Sequence, residues 1–170
     1  MVAVVTPIER ERSLQAILSA LENVVDPEIP ALSIRAIGIL RDVRMDEDGS
    51  IEVVITPTYS GCPAVEQIVD EIKRVLAGMG GTETRVTRRF NPPWTTDWIG
   101  DEARETLKAN GIAPPVGTAP AHHTSAVEIV SCPRCNSRQC ELISLFGSTS
   151  CKAQYRCRSC REPFAYFKHF

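Results

Sequence analysis

A chain of 170 residues with 43% apolar and 24% charged side chains has room for one ordinary domain, or for one domain with a small satellite, and is neither a disordered chain nor a large multidomain enzyme. The formal net charge of -2 gives no whole-molecule attraction to nucleic acid or acidic membranes. The short apolar start, Met1 to Val5, meets Thr6-Pro7 at once and no window has the length of a membrane helix, so a cytoplasmic protein with reduced thiols is expected.

Thr6-Pro7-Ile8-Glu9 has the pattern of a capping box, and Leu14, Ile17, Leu18 and Leu21 follow at helical spacing. Pro27 disfavours helical geometry at Asp26, so the first helix should stop near Val25. Residues 34–45 and 51–56 alternate like two strands, joined by the turn Asp46 to Ser50. A second helix begins at Cys62-Pro63 and carries an apolar stripe, Val65, Ile68, Val69, Ile72, Val75, Leu76 and Met79, before Gly78, Gly80 and Gly81 end it. Residues 82–89 read as a third strand, and Asp101 to Asn110 as a short helix closed by Gly111. This order predicts an α+β domain, a small mixed sheet covered by helices, over residues 1–111. Residues 112–127, with three prolines, a glycine and no charge, read as a linker. Residues 1–127 carry 12 basic and 18 acidic side chains, while 128–170 carry 7 basic and 3 acidic, so two modules of opposite sign are expected.

Six of the seven cysteines fall in the last 39 positions. Cys132-Pro-Arg-Cys135 and Cys157-Arg-Ser-Cys160 form two CxxC pairs separated by 21 residues. Two thiolates three positions apart on a tight turn can face one ion, and two such turns supply a tetrahedral S4 shell, so residues 128–170 read as a small C-terminal zinc ribbon. A structural zinc, holding together a segment too short to bury its own core, is favoured over a redox iron or iron–sulfur site built from the same thiolates. Cys140 and Cys151 lie outside this tetrad. Cys140 reads as a small packed hydrophobe, whereas for Cys151, among turn residues and beside Lys152, packing and thiol chemistry both stay open. His122 and His123 read as solvated linker residues.

Cys62 sits near the start of a helix, where the dipole and unpaired amides favour a thiolate that could bind a metal or attack an electrophile. A packed Cys62 is the competing reading, since no histidine lies nearby in sequence to serve as a base. Asp26-Pro-Glu28-Ile-Pro30 is a rigid acidic loop, and Trp94 and Trp98 lie in an irregular stretch that either covers the core or docks a protein. The +4 of residues 128–170 could attract nucleic acid, but the acidic first module opposes it and no recognised motif is present.

Asp26-Pro-Glu-Ile-Pro30, Ser33-Ile34, Gly38-Ile-Leu40, Thr56 through Ala64, and the tail Phe146 to Ala153, Tyr155-Arg-Cys157 and Glu162-Pro-Phe164 resemble the PaaD family associated with the multicomponent ring-1,2-phenylacetyl-CoA epoxidase. The first module is similar to small iron–sulfur assembly factors with a DPE loop and a single cysteine before a helix. The resemblance implies a non-catalytic accessory protein of aerobic phenylacetate degradation that matures or delivers a cluster, to the iron–sulfur reductase component above all. It implies that Cys62, with Asp26 and Glu28, handles transient iron or a cluster, alone or shared across a homodimer, and that the ribbon cysteines bind metal. Cys140 is not part of that pattern. The rival reading is a structural subunit of the epoxidase that docks through Trp94, Trp98 and the ribbon and handles no iron.

Overall fold

The computed structural model describes residues 7–79, 83–116 and 129–170. Thr6, His122, His123 and most of the expected linker lie outside them. The chain divides into two compact units, Met1–Trp94 and Thr95–Phe170.

In the first unit, helix α1 (Pro7–Leu21) leads into a small two-stranded ribbon, β1 (Val25–Asp26) with β2 (Ile29–Ser33). A three-stranded sheet follows. Strands β3 (Leu40–Met45) and β4 (Ile51–Ile55) form the expected antiparallel hairpin, helix α2 (Ala64–Gly78) crosses over, and β5 (Thr84–Arg88) returns parallel to β4. Both helices pack on this sheet and on each other. The predicted stripe on α2 is the buried one: Ile68, Ile72 and Leu76 are fully enclosed, each worth about 1.5–3 kcal/mol relative to exposure. Met79, expected to extend the stripe, lies just past the helix and is exposed.

Two local expectations are corrected. Helix α1 ends at Leu21, and the acidic loop is not only a helix stop, because Ile29–Ser33 turns back to pair with Val25–Asp26. The first strand of the hairpin starts at Leu40 and not at residue 34. Ile34 through Gly38 form a turn in which the Ile34 carbonyl accepts from the N–H groups of Ile39 (2.8 Å) and Leu40 (2.9 Å). Gly38 has φ +77°, a geometry that no β-branched residue takes readily, so the apolar run bends and buries Ile34 and Ile37 instead of extending.

The second unit is larger than the expected ribbon. It contains a single 3-10 turn (Thr96–Trp98), helix α3 (Asp101–Ala109), and a four-stranded sheet in the order β6-β9-β8-β7. Its strands are β6 (Ile112–Ala113), β7 (Cys140–Ser144), β8 (Lys152–Cys157) and β9 (Pro163–Phe167). Helix α3 is closed by Gly111 at φ +76°, as the sequence implies, but β6 then runs parallel to β9. The two compact units of the structure thus meet at Trp94, upstream of the residue 111 that the sequence suggests as the end of the first module. Long-range bonds tie residues 95–116 to the chain end: His169 Nε2 donates to the Val116 carbonyl at 2.9 Å, and its Nδ1 shares a hydrogen bond with the Thr96 hydroxyl at 3.0 Å. The Arg104 guanidinium donates to the carbonyls of Ile99, Thr96 and Pro115 and locks the same segment.

The core of this unit joins Ala113, Val130, Ala153, Tyr155, Phe164 and Tyr166 to Cys132 and Cys157. The Tyr155 ring stacks on Phe164 at 6.0 Å and meets the edge of Tyr166 at 5.6 Å. Trp94 is buried in the first unit, with its indole N–H on the Ile37 carbonyl at 3.1 Å, so it covers core and offers no docking surface. Among the described residues, no helix is long and apolar enough to cross a membrane.

Candidate metal centre and assembly thiol

The two CxxC segments of the second unit fold as matching knuckles. The Cys132 N–H bonds the Ser137 carbonyl (2.9 Å), and the Cys157 N–H bonds the Glu162 carbonyl (3.0 Å), the same five-residue span in both. The residue after each second cysteine is left-handed, Asn136 at φ 58° and Arg161 at φ 65°, which turns the chain back after the second thiol. A bond between the Ser137 and Ser159 hydroxyls (2.7 Å) ties one knuckle to the other, and Arg158 braces the second through Glu141 at 3.0 Å.

The sulfurs of Cys132, Cys135, Cys157 and Cys160 all lie within 4.8 Å of one another. Across the knuckles, Cys132 to Cys160 is 3.7 Å and Cys135 to Cys157 is 3.5 Å. A tetrahedron with zinc–sulfur bonds of about 2.3 Å has edges of about 3.8 Å, so the donor set fits zinc closely. The bound ion would cross-link two turns that hold the sheet end together.

The sulfurs divide their protons unequally. The Cys160 and Ser159 N–H groups aimed at Cys157 bring its thiol down to about 6. Cys135 receives a lowering bond from the Ser137 N–H, but the shared proton with Cys157 and burial outweigh it and push the thiol up to about 12. Cys160 is pulled down by the Glu162 N–H, yet burial and its contact with Cys157 leave it above the ordinary thiol value. A divalent ion must therefore displace protons that this sulfur set holds firmly.

Cys140 is half-buried against the same core, and burial, then the neighbouring sulfurs of Cys157 and Cys132, push its thiol up to about 11. Its S–H donates to the Ser137 carbonyl at 3.4 Å. Cys151 lies outside the cluster, buried just before β8 with its sulfur 3.0 Å from the Thr149 hydroxyl.

In the first unit, Cys62 is partly exposed two residues before α2, in a turn closed by its N–H on the Tyr59 carbonyl at 3.3 Å. Asp26 is buried, and its Oδ1 accepts from the N–H groups of Glu28 (2.7 Å) and Ile29 (3.0 Å), so this carboxylate shapes the acidic loop. Glu28 is exposed. Helix α2 packs against β1, the strand that ends in Asp26. The Arg104 and His169 clamps gave no sequence signal, because their partners are distant or main-chain.

Residues 117–168 match the PaaD zinc beta ribbon domain, and residues 14–87 match the iron-sulfur cluster assembly protein family. Over 152 residues, 89% of this chain and 90% of the relative, the sequence is 47% identical to an Escherichia coli protein named as a putative 1,2-phenylacetyl-CoA epoxidase component. The chain belongs to the PaaD family. Its ribbon match spans all four clustered cysteines, and its assembly-protein match spans Asp26, Glu28 and Cys62. The chain is also similar to the Bacillus subtilis Fe-S protein maturation auxiliary factor YitW, 44% identical over 54% of this chain and 89% of that protein. A solved domain of unknown function DUF59 from Bacillus anthracis has TM-score 0.56 at 31% identity, covering 60% of this chain and 97% of that one. PaaD chains thus join an iron–sulfur assembly-like fold to a zinc ribbon.

Proposed function

We propose that this protein is a non-catalytic accessory factor that delivers iron or an iron–sulfur cluster to the phenylacetyl-CoA epoxidase system, with the iron–sulfur reductase component as its client. The observation that carries the reading is the pairing, in one chain, of a maturation-factor-like unit holding a partly exposed Cys62 with a family-specific ribbon. Cys62 holds the cargo through its sulfur, alone or shared across a homodimer. Asp26 fixes the neighbouring loop through its two backbone bonds, and exposed Glu28 assists capture and release of the cargo. Cys132, Cys135, Cys157 and Cys160 hold a structural zinc, and handover is ligand exchange without turnover of a substrate. The work takes place in the cytoplasm, where thiols stay reduced.

The test is to produce the epoxidase components together with wild-type protein or with Cys62→Ser, and to measure iron and sulfide in the reductase. A reductase low in cluster with Cys62→Ser is expected; full cluster content with full epoxidase activity sinks the proposal. A purely structural subunit is the second reading, favoured by exposed Leu142, Ile143, Leu145 and Phe146 on and beyond the edge strand β7. Fixed-stoichiometry co-purification with the catalytic components, unaltered by Cys62→Ser, would favour it.

A further inference from the structure

Cys140 is more than a packed neighbour of the ribbon core. In the β7/β8 ladder it stands directly opposite Cys157, one of the four clustered cysteines. The adjacent pair is marked as hydrogen-bonded by the Arg158 N–H on the Gln139 carbonyl at 2.7 Å. Cys140 and Cys157 are accordingly a non-hydrogen-bonded pair. Their own N–H groups agree, since that of Cys140 goes to Arg138 and that of Cys157 to Glu162. In such pairs the Cα atoms approach to about 4.5 Å, within the range that a disulfide spans. The Cys140 sulfur is half-buried and outside the group of four that fits a metal.

We propose that Cys140 is the resolving thiol of an oxidation that unlocks the metal centre: a hydroperoxide oxidises Cys157, which leaves the four-sulfur set to form a cross-strand disulfide with Cys140. In the first step the Cys157 thiolate takes the terminal peroxide oxygen. The O–O bond breaks, the sulfenic acid forms, and with hydrogen peroxide the hydroxide that leaves takes a proton from solvent to become one water. In the second step the Cys140 sulfur attacks the Cys157 sulfur, the S–S bond forms, and the displaced hydroxide takes the Cys140 proton to become the second water. One thiol, one thiolate, one peroxide and one proton give one disulfide and two waters; the sulfurs lose two electrons and the peroxide gains them. The remaining three cysteines are one donor short of a closed structural site, so zinc affinity falls. A dithiol reductant reverses the bond.

The experiment uses the full chain loaded with zinc, excess hydrogen peroxide, a chromophoric chelator to follow release, and peptide mapping of the product on a Cys151→Ser background. The expected result is a Cys140–Cys157 linkage formed with zinc release, and zinc uptake restored by dithiothreitol. Cys140→Ser should load zinc like the wild type and release it about tenfold more slowly, because the facing thiol is gone. Equal release rates overturn the proposal. So does a wild-type map in which Cys157 is joined to Cys135 or Cys160, a result that decides the matter even where the serine variant folds poorly. Neither readout involves Cys62 or reductase maturation, so a failure here is separable from a failure of the delivery role.

Discussion

Raising the pH should tighten metal binding by the ribbon steeply, though less steeply than four independent ordinary thiols would, because Cys157 has already given up its proton. All four sulfurs must be thiolates to close the site, so each thiol still protonated gives up a proton when the ion enters. Cys157, held to about 6 by the N–H groups of Cys160 and Ser159, is mostly ionised above neutrality and adds no slope there. Cys135, pushed up to about 12, and Cys160, also above its ordinary value, keep their protons across the neutral range. At least these two protons leave on binding, so the apparent zinc affinity should climb about a hundredfold or more per pH unit between roughly pH 7 and 8. The direction follows because the raised groups are neutral when empty and charged when ligated, so protons compete with metal. Competition against a chelator of known pH dependence measures the slope, and cobalt in place of zinc gives a thiolate absorption that reports the same equilibrium. A slope of tenfold or less per pH unit would refute the proton distribution drawn from the knuckle hydrogen bonds.

Two further substitutions test the frame around the site. Arg161→Gly removes a side chain from a left-handed position at φ 65° and should stabilise the zinc-loaded protein by about 1 kcal/mol, the backbone strain relieved less the extra freedom of glycine when unfolded. Asn136→Gly, at the matching position, should change little, because asparagine tolerates that geometry; denaturant unfolding compares the two. Arg104→Met leaves three carbonyls without their shared donor and should cost about 2–3 kcal/mol locally, seen as faster amide exchange across residues 95–116. Unchanged exchange in that segment would mean the clamp is idle.

Features governed by short-range spacing were readable before any coordinates. The α2 stripe repeats at helical period, and each CxxC turn is local, so both emerged directly. What escaped notice depends on partners far along the chain. Ile29–Ser33 is a strand because it pairs back onto Val25–Asp26, while Pro30, with Pro27 before it, reads as a loop. Residues 34–38 look like a strand by composition, and only the positive φ of Gly38 converts them into a buried turn. Thr96 meets His169 across 73 positions, a bond that no periodicity announces. Cys140 reads as a bystander until the ladder register puts it across from Cys157. Spacing assigned the tetrad, and register supplied its fifth neighbour.

The boundary at Trp94 changes what counts as a transferable piece. Residues 95–170 carry their own helix, with Ala103 and Leu107 buried, and their own sheet reaching from β6 to β7. A cut placed after the proline-rich stretch would strand α3 and strip the sheet of an edge, whereas a cut beside Trp94 severs two self-contained bodies. A piece taken from Thr95 onward is therefore a whole miniature domain and not a bare pair of metal-binding turns.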